Sequence, residues 1–260
     1  MARCVSPIPS PMWHVISLLV KFFCRLALFV ATAGYLISQP VLASSFDDVS
    51  GNWLGGIPQS NQLAYEVVRK GKRIGFQHLS FEMAENGELT TNVYIRLDLK
   101  FGFITLFRYI HANQEIWRDG EMISLQSKTY NNGKDEFASF QRQDGKLVGE
   151  GYKYSGELDN SIISTSYFNP NFIRQKQLVS TQDGRKLDIE VTDLGTQSVS
   201  TPEGLVDAFG YRLSGDLKLD IWYTPAGQWV RTEFDLGGDT ITIRQVNMSD
   251  LPDPASWETP

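Results

Sequence analysis

LTTNVYIRLDLKF, residues Leu89–Phe101, carries Leu89, Thr91, Val93, Ile95, Leu97, Leu99 and Phe101 at alternate positions. Between them stand Thr90, Asn92, Tyr94, Arg96, Asp98 and Lys100. A helix would scatter such a set around its circumference, whereas a strand gathers it on one face. The stretch is a strand with one side on a core and the other in water.

Tight-turn signals recur on both sides of it. Asn86-Gly87, Asp119-Gly120, Asn132-Gly133, Asp144-Gly145 and Asp183-Gly184 each separate two strand-like runs, and Lys70-Gly71 and Gly237-Gly238 add two more. Such pairs supply the positive φ angles that short hairpins require. Strands are predicted over 62–69, 73–82, 89–101, 105–117, 121–130, 135–143 and 146–154. A second set is predicted over 187–194, 208–214, 217–224, 228–236 and 239–246. Hairpin after hairpin means an antiparallel meander, because parallel strands need long crossovers. From Ser155 to Asp183 the alternation fades, and Phe168-Asn-Pro-Asn-Phe172 reads as a turn into a short helix near 172–177. About twelve strands must curl, so the fold class is all-β, an antiparallel meander forming a closed or half-closed barrel. A closed barrel of that size encloses more room than its own side chains conveniently fill.

The leader has its own pattern. Leu26–Leu42 is apolar but for Ser38, Gln39 and Pro40, follows basic Lys21 and Arg25, and runs into Val41-Leu42-Ala43. Small residues at these positions fit processing after Ala43, which makes 1–43 a signal peptide. The competing reading, an uncleaved anchor, suffers because the apolar run is short of the ~20 residues that span a bilayer. The expected organisation is a leader over 1–43 and an irregular segment over 44–61. One barrel-like domain follows over 62–248, with an irregular tail over 249–260. Export to the periplasm or beyond follows, and with the leader gone nothing anchors the chain in a membrane. A membrane-spanning barrel would need a lipid-facing apolar band over a polar lumen, which the charged face of 89–101 and the short loops count against.

Loss of Arg3, Lys21 and Arg25, with no acidic residue among the first 43, moves the formal charge from −6 to −9. An acidic surface repels phosphate backbones, so nucleic acid is excluded as a partner. Cys4 and Cys24 are the two cysteines, and both lie in the leader. The mature chain therefore holds no disulfide, thiolate nucleophile or cysteine metal site. No P-loop, Gly-x-Gly-x-x-Gly or Gly-x-Ser-x-Gly stretch occurs, and nothing calls for a cofactor.

Candidate site residues come from the stretch 105–117. Phe107, Tyr109, His111, Asn113, Glu115 and Trp117 share one face, mixing aromatic rings with donors and acceptors in the manner of a ligand-binding wall. The same residues are also ordinary strand formers at a half-buried surface. His111 and Glu115 stand ~13 Å apart along a strand, too far to ligate one ion, so neither a metal site nor a catalytic residue is assigned. In the late hairpin, Trp222, Tyr223 and Trp229 cluster at the turn, either capping the core or forming an aromatic lip.

Leu63-Ala-Tyr-Glu-Val67 with Gly71-Lys-Arg-Ile-Gly75, Tyr109-Ile-His111 with Glu115-Ile-Trp-Arg-Asp-Gly120, and Gly215–Tyr223 carry a resemblance. In this order they resemble an uncharacterised family of exported bacterial β proteins, catalogued as a domain of unknown function. The opening motifs and the late hairpin also look like lipoprotein-carrier half-barrels, a likeness mostly of architecture. The resemblance implies no substrate, cofactor or catalytic residue.

The expected function is a soluble periplasmic binding or carrier protein for an apolar or amphiphilic ligand, such as a lipid or acyl chain. Tyr109, His111, Glu115, Trp117, Trp222 and Tyr223 are its expected ligand-binding residues. One alternative is an envelope assembly factor working through protein partners, which requires a filled interior and an exposed aromatic patch. Another is a hydrolase using His111 and a carboxylate.

Overall fold

The computed structural model describes residues 46–260. The expected leader and its processing site after Ala43 lie outside the described residues. The chain first builds β1 (Gln62–Arg69), β2 (Lys72–Met83), β3 (Leu89–Phe101), β4 (Ile104–Arg118), β5 (Glu121–Asn131), β6 (Lys134–Gln143), β7 (Lys146–Gly151) and β8 (Ser155–Leu158). It continues through β9 (Ile163–Ser164), β10 (Gln177–Val179), β11 (Lys186–Thr201), β12 (Gly204–Gly215), β13 (Leu219–Tyr223), β14 (Trp229–Leu236) and β15 (Asp239–Val246).

All fifteen strands join one sheet, in the order β8-β7-β6-β5-β4-β3-β2-β1-β15-β14-β13-β12-β11-β10-β9. The sheet is curled and barrel-like but not closed, with β8 and β9 as its free edges. Two meanders are fused where β1 pairs with β15, from Ala64↔Val246 to Arg69↔Ile241. Turn chemistry sets the hairpins as expected. Asp119-Gly120, Asn132-Gly133 and Asp144-Gly145 all have positive φ at both residues, the geometry whose twist matches that of the flanking strands.

The count exceeds the expected twelve because β8, β9 and β10 are too short to show alternation. One pairing also departs from the antiparallel rule: β9 lies parallel to β10, through Leu178↔Ile163 and Val179↔Ser164. A parallel pair needs a long crossover, and residues 165–176 supply it. The short helix expected near 172–177 is a 3-10 turn, Pro170–Arg174, inside that crossover. Pro170 starts it with its φ already set, and Gln175 is back in extended conformation at φ −82° and ψ 152°.

The crossover fills the barrel. Phe168 meets Phe81 and Trp117 edge-on, at ring distances of 5.4 and 5.5 Å, and Phe172 is fully buried. Around them pack Leu63, Tyr65, Leu79, Phe140, Tyr211, Ile221 and Trp229 from the inner sheet face. On the outer face the tail packs back against the sheet. Leu251 is buried against Ala64 and Phe76, and the Trp257 ring stacks on Tyr94 at 4.7 Å.

Candidate functional site

β4 carries the predicted wall on the inner face of the sheet. Its register against β3 and β5 gives the row Ile95–His111–Thr129, then Val93–Asn113–Ser127, then Thr91–Glu115–Leu125. Pairing across the strands thus lines polar side chains up in the barrel interior.

Glu115 is completely buried, and among the described residues no cation pairs with it. Its carboxylate instead accepts hydrogen bonds from Asn113 Nδ2 at 2.8 Å, Trp117 Nε1 at 2.9 Å and Ser166 Oγ of the crossover. Burial pushes its pKa above the usual carboxylate range, against the opposing pull of those donors. Trp117, also fully buried, packs on Phe168 and, at 6.5 Å, on Trp53. Tyr223 reaches the crossover from the far side, its hydroxyl donating to the Tyr167 carbonyl at 2.7 Å. Three of the predicted residues therefore converge on residues 166–168, where they hold the crossover in place.

His111 and Tyr109 belong to a second group nearer one end of the barrel. The His111 ring lies 6.1 Å from that of Tyr109, and its Nδ1 is 2.7 Å from Thr129 Oγ1. Thr129 donates its one hydroxyl proton to the Gln182 carbonyl at 3.3 Å. Nδ1 is therefore assigned the imidazole proton, which leaves Nε2 as a bare acceptor. Burial lowers the His111 pKa to about 4, so the ring is neutral at physiological pH. Burial, then the nearby Tyr167, Glu136 and Asp183, hold the Tyr109 phenol protonated. Glu136 itself accepts from Gln182 Nε2 at 2.6 Å and Asn131 Nδ2 at 3.3 Å. Tyr109 and His111 thus form a neutral, hydrogen-bonding pair of rings. His111 and Glu115 are bonded to different partners and not to each other.

Trp222 stands apart from the other five. It faces outward, stacked beneath the Arg231 guanidinium at 5.0 Å and against Gly210, where a Cβ would come within 2.6 Å of its Nε1.

Sequence reasoning passed over the finger formed by β3 and β4 beyond Tyr109. On the inner face, half-buried Leu97 pairs with Tyr109, and half-buried Leu99 and Phe107 lead outward from them. At the tip, Phe103 is 107% exposed, Ile104 64% and Leu106 56%. The signal was present in FGFITLF, Phe101–Phe107, an apolar run crossing a turn that water would normally claim. Among the described residues, no group of three or more His, Cys, Asp or Glu side chains is placed to hold a metal ion.

A family model described as "Domain of unknown function (DUF6134)" matches residues 65–246. The chain belongs to that family. The DUF6134 chain is also similar in fold to the crystal structure of a beta-barrel-like protein of domain of unknown function DUF1849 from Brucella abortus. The TM-score is 0.51 at 15% identity, over 71% of this chain and 95% of that one. That likeness is one of fold alone. No curated protein matches the DUF6134 chain.

Proposed function

We propose that this DUF6134 protein is an exported, periplasmic binding protein for an apolar or amphiphilic ligand such as an acyl chain. The ligand is engaged by the β3–β4 finger. The observation that carries the reading is the exposed tip, Phe103, Ile104 and Leu106, which follows half-buried Leu97, Leu99 and Phe107 along β3 and β4. A row of apolar side chains left in water marks a surface that gains by being covered. Tyr109 and His111 end the row with a phenol hydroxyl and a bare imidazole nitrogen, groups suited to a polar head. Glu115, Trp117 and Tyr223 fix the crossover behind them, and Trp222 supports the outer face. No helix among the described residues is long and apolar enough to cross a membrane.

The test is a double variant, Phe103→Ser with Leu106→Ser, titrated with a fluorescent dodecanoic acid analogue. Binding should weaken about tenfold or more while the melting temperature holds. Unchanged binding, or a wild-type protein that ignores the probe, would overturn the reading. A second reading, an envelope assembly factor acting through a protein partner, is favoured by the barrel interior being filled by its own crossover. It expects the finger tip to cross-link to a protein, and the probe to go unbound.

A further inference from the structure

The opposite face of the sheet carries a groove with a different chemistry. It holds about 800 Å³, and its walls are β2–β5 on one side and the C-terminal tail, through Trp257, Thr259 and Pro260, on the other. Two cross-strand rows build it. One reads Ser80–Asn92–Gln114–Gln126 and the other His78–Tyr94–Ala112–Lys128. Ala112 is the small member of its row, so the surface dips between Tyr94 and Lys128.

The polar groups here are largely unspent. Gln114 Nε2 donates to Asn92 Oδ1 at 3.0 Å and Gln126 Nε2 to Ser139 Oγ at 3.0 Å, which leaves both glutamine carbonyls and the Asn92 amino group open. His78 Nε2 is buried without a hydrogen-bond partner. The stacked Tyr94 and Trp257 rings supply an apolar wall. Among the described residues no carboxylate side chain lines the groove, although the whole chain is acidic, and Lys128 is the one ammonium group there.

An aromatic wall, several neutral amides and a single cation suit a ligand with an apolar ring face, many hydroxyls and a negative charge. We infer that this groove binds a saccharide and that Lys128 selects one bearing a carboxylate. An acyl chain would leave the amides unpaired, and a nucleotide would meet an acidic protein with one lysine. The inference stands on the face opposite the finger and does not rest on the acyl-ligand reading.

Calorimetric titration of the purified chain with trigalacturonic acid and with a neutral hexose trisaccharide tests it. The acid should bind, and the neutral sugar should bind more weakly. Ala112→Leu fills the dip and should weaken both by about tenfold or more, while Lys128→Gln should weaken the acid alone by about tenfold. Both substitutions lie on the outer face, so unchanged melting temperatures will certify the fold. Failure of the wild type to bind either sugar, or binding indifferent to Ala112→Leu, overturns the site. Equal affinity for the two sugars, with no effect of Lys128→Gln, overturns the selection by charge.

Discussion

Glu115 is a carboxyl group buried without a counter-charge, and its stabilising contribution depends on donors arriving from two elements. A glutamine in its place turns one oxygen into a donor, which must face either Trp117 Nε1 or Asn113 Nδ2, both donors themselves. Glu115→Gln should therefore cost about 1–3 kcal/mol. The pH dependence has a definite sign. Because burial raises the folded-state pKa of Glu115, the stability tied to that shift is complete below 4.5 and is lost as pH rises through the raised value. The gap between wild type and Glu115→Gln should narrow from pH 4 to pH 8 in thermal melts; a gap that widens would mean the fold prefers the charged form. His111 runs the other way. Its pKa falls from 6.5 to about 4, so its contribution is complete above 6.5 and disappears as pH drops through 4. His111→Gln should flatten that acidic limb in the same melts.

The crossover 165–176 is the element on which the inner residues depend. Phe168→Ala removes a ring packed between Phe81 and Trp117, and should cost about 3–5 kcal/mol in denaturant unfolding. Leu106→Ser on the exposed finger should change stability by only about 0.5 kcal/mol. Similar costs at the two positions would mean that the crossover does not fill the barrel. The contrast also marks how far the sequence could be read. β3 and β4 announce themselves because each has one wet and one dry face, and Asn-Gly and Asp-Gly pairs fix the turns between neighbours. The crossover is dry on several sides, so no period survives between Ser155 and Asp183. β9 has two residues and β10 three, too few to alternate. The same limit governs the site. That Tyr109, His111, Glu115 and Trp117 share a face follows from their spacing. That Glu115 and Trp117 grip Ser166 and Phe168 depends on contacts about fifty residues apart in the chain. Trp222 and Tyr223 illustrate the opposite case, because neighbours in a strand must face opposite sides. Alternation alone separates that pair.

At the scale of the molecule, the sheet order is that of a single meander cut and rejoined. The strands nearest the ends of the domain, β1 and β15, pair in the middle of the sheet, while its edges β8 and β9 are joined by the turn around Asp159–Ser161. A chain opened at that turn would trace β9 to β15, then β1 to β8, keeping every neighbour it has now. Asn160 and Ser161 are both exposed, which makes the turn a tolerant place for new ends. The contacts such a cut sacrifices are few, chiefly the bond from Arg142 to the Asn160 carbonyl at 3.1 Å and the Asp159–Ser161 turn. The required join links the tail to residue 46, and a Gly/Ser linker of about 20 residues reaches roughly 25 Å on average. The permutant beginning at Ser161 should show the same circular dichroism spectrum and one cooperative melt, a few degrees below that of the natural chain order. The β1–β15 pairing becomes a linked neighbour contact in place of one such as Arg244–Glu66, 178 residues apart, while the crossover's bond from Ser166 to Glu115, now 51 residues apart, becomes a long-range one. Two separate melts would mean that the two meanders are independently stable halves, and that pairing across β1 and β15 does not unite them into one cooperative sheet.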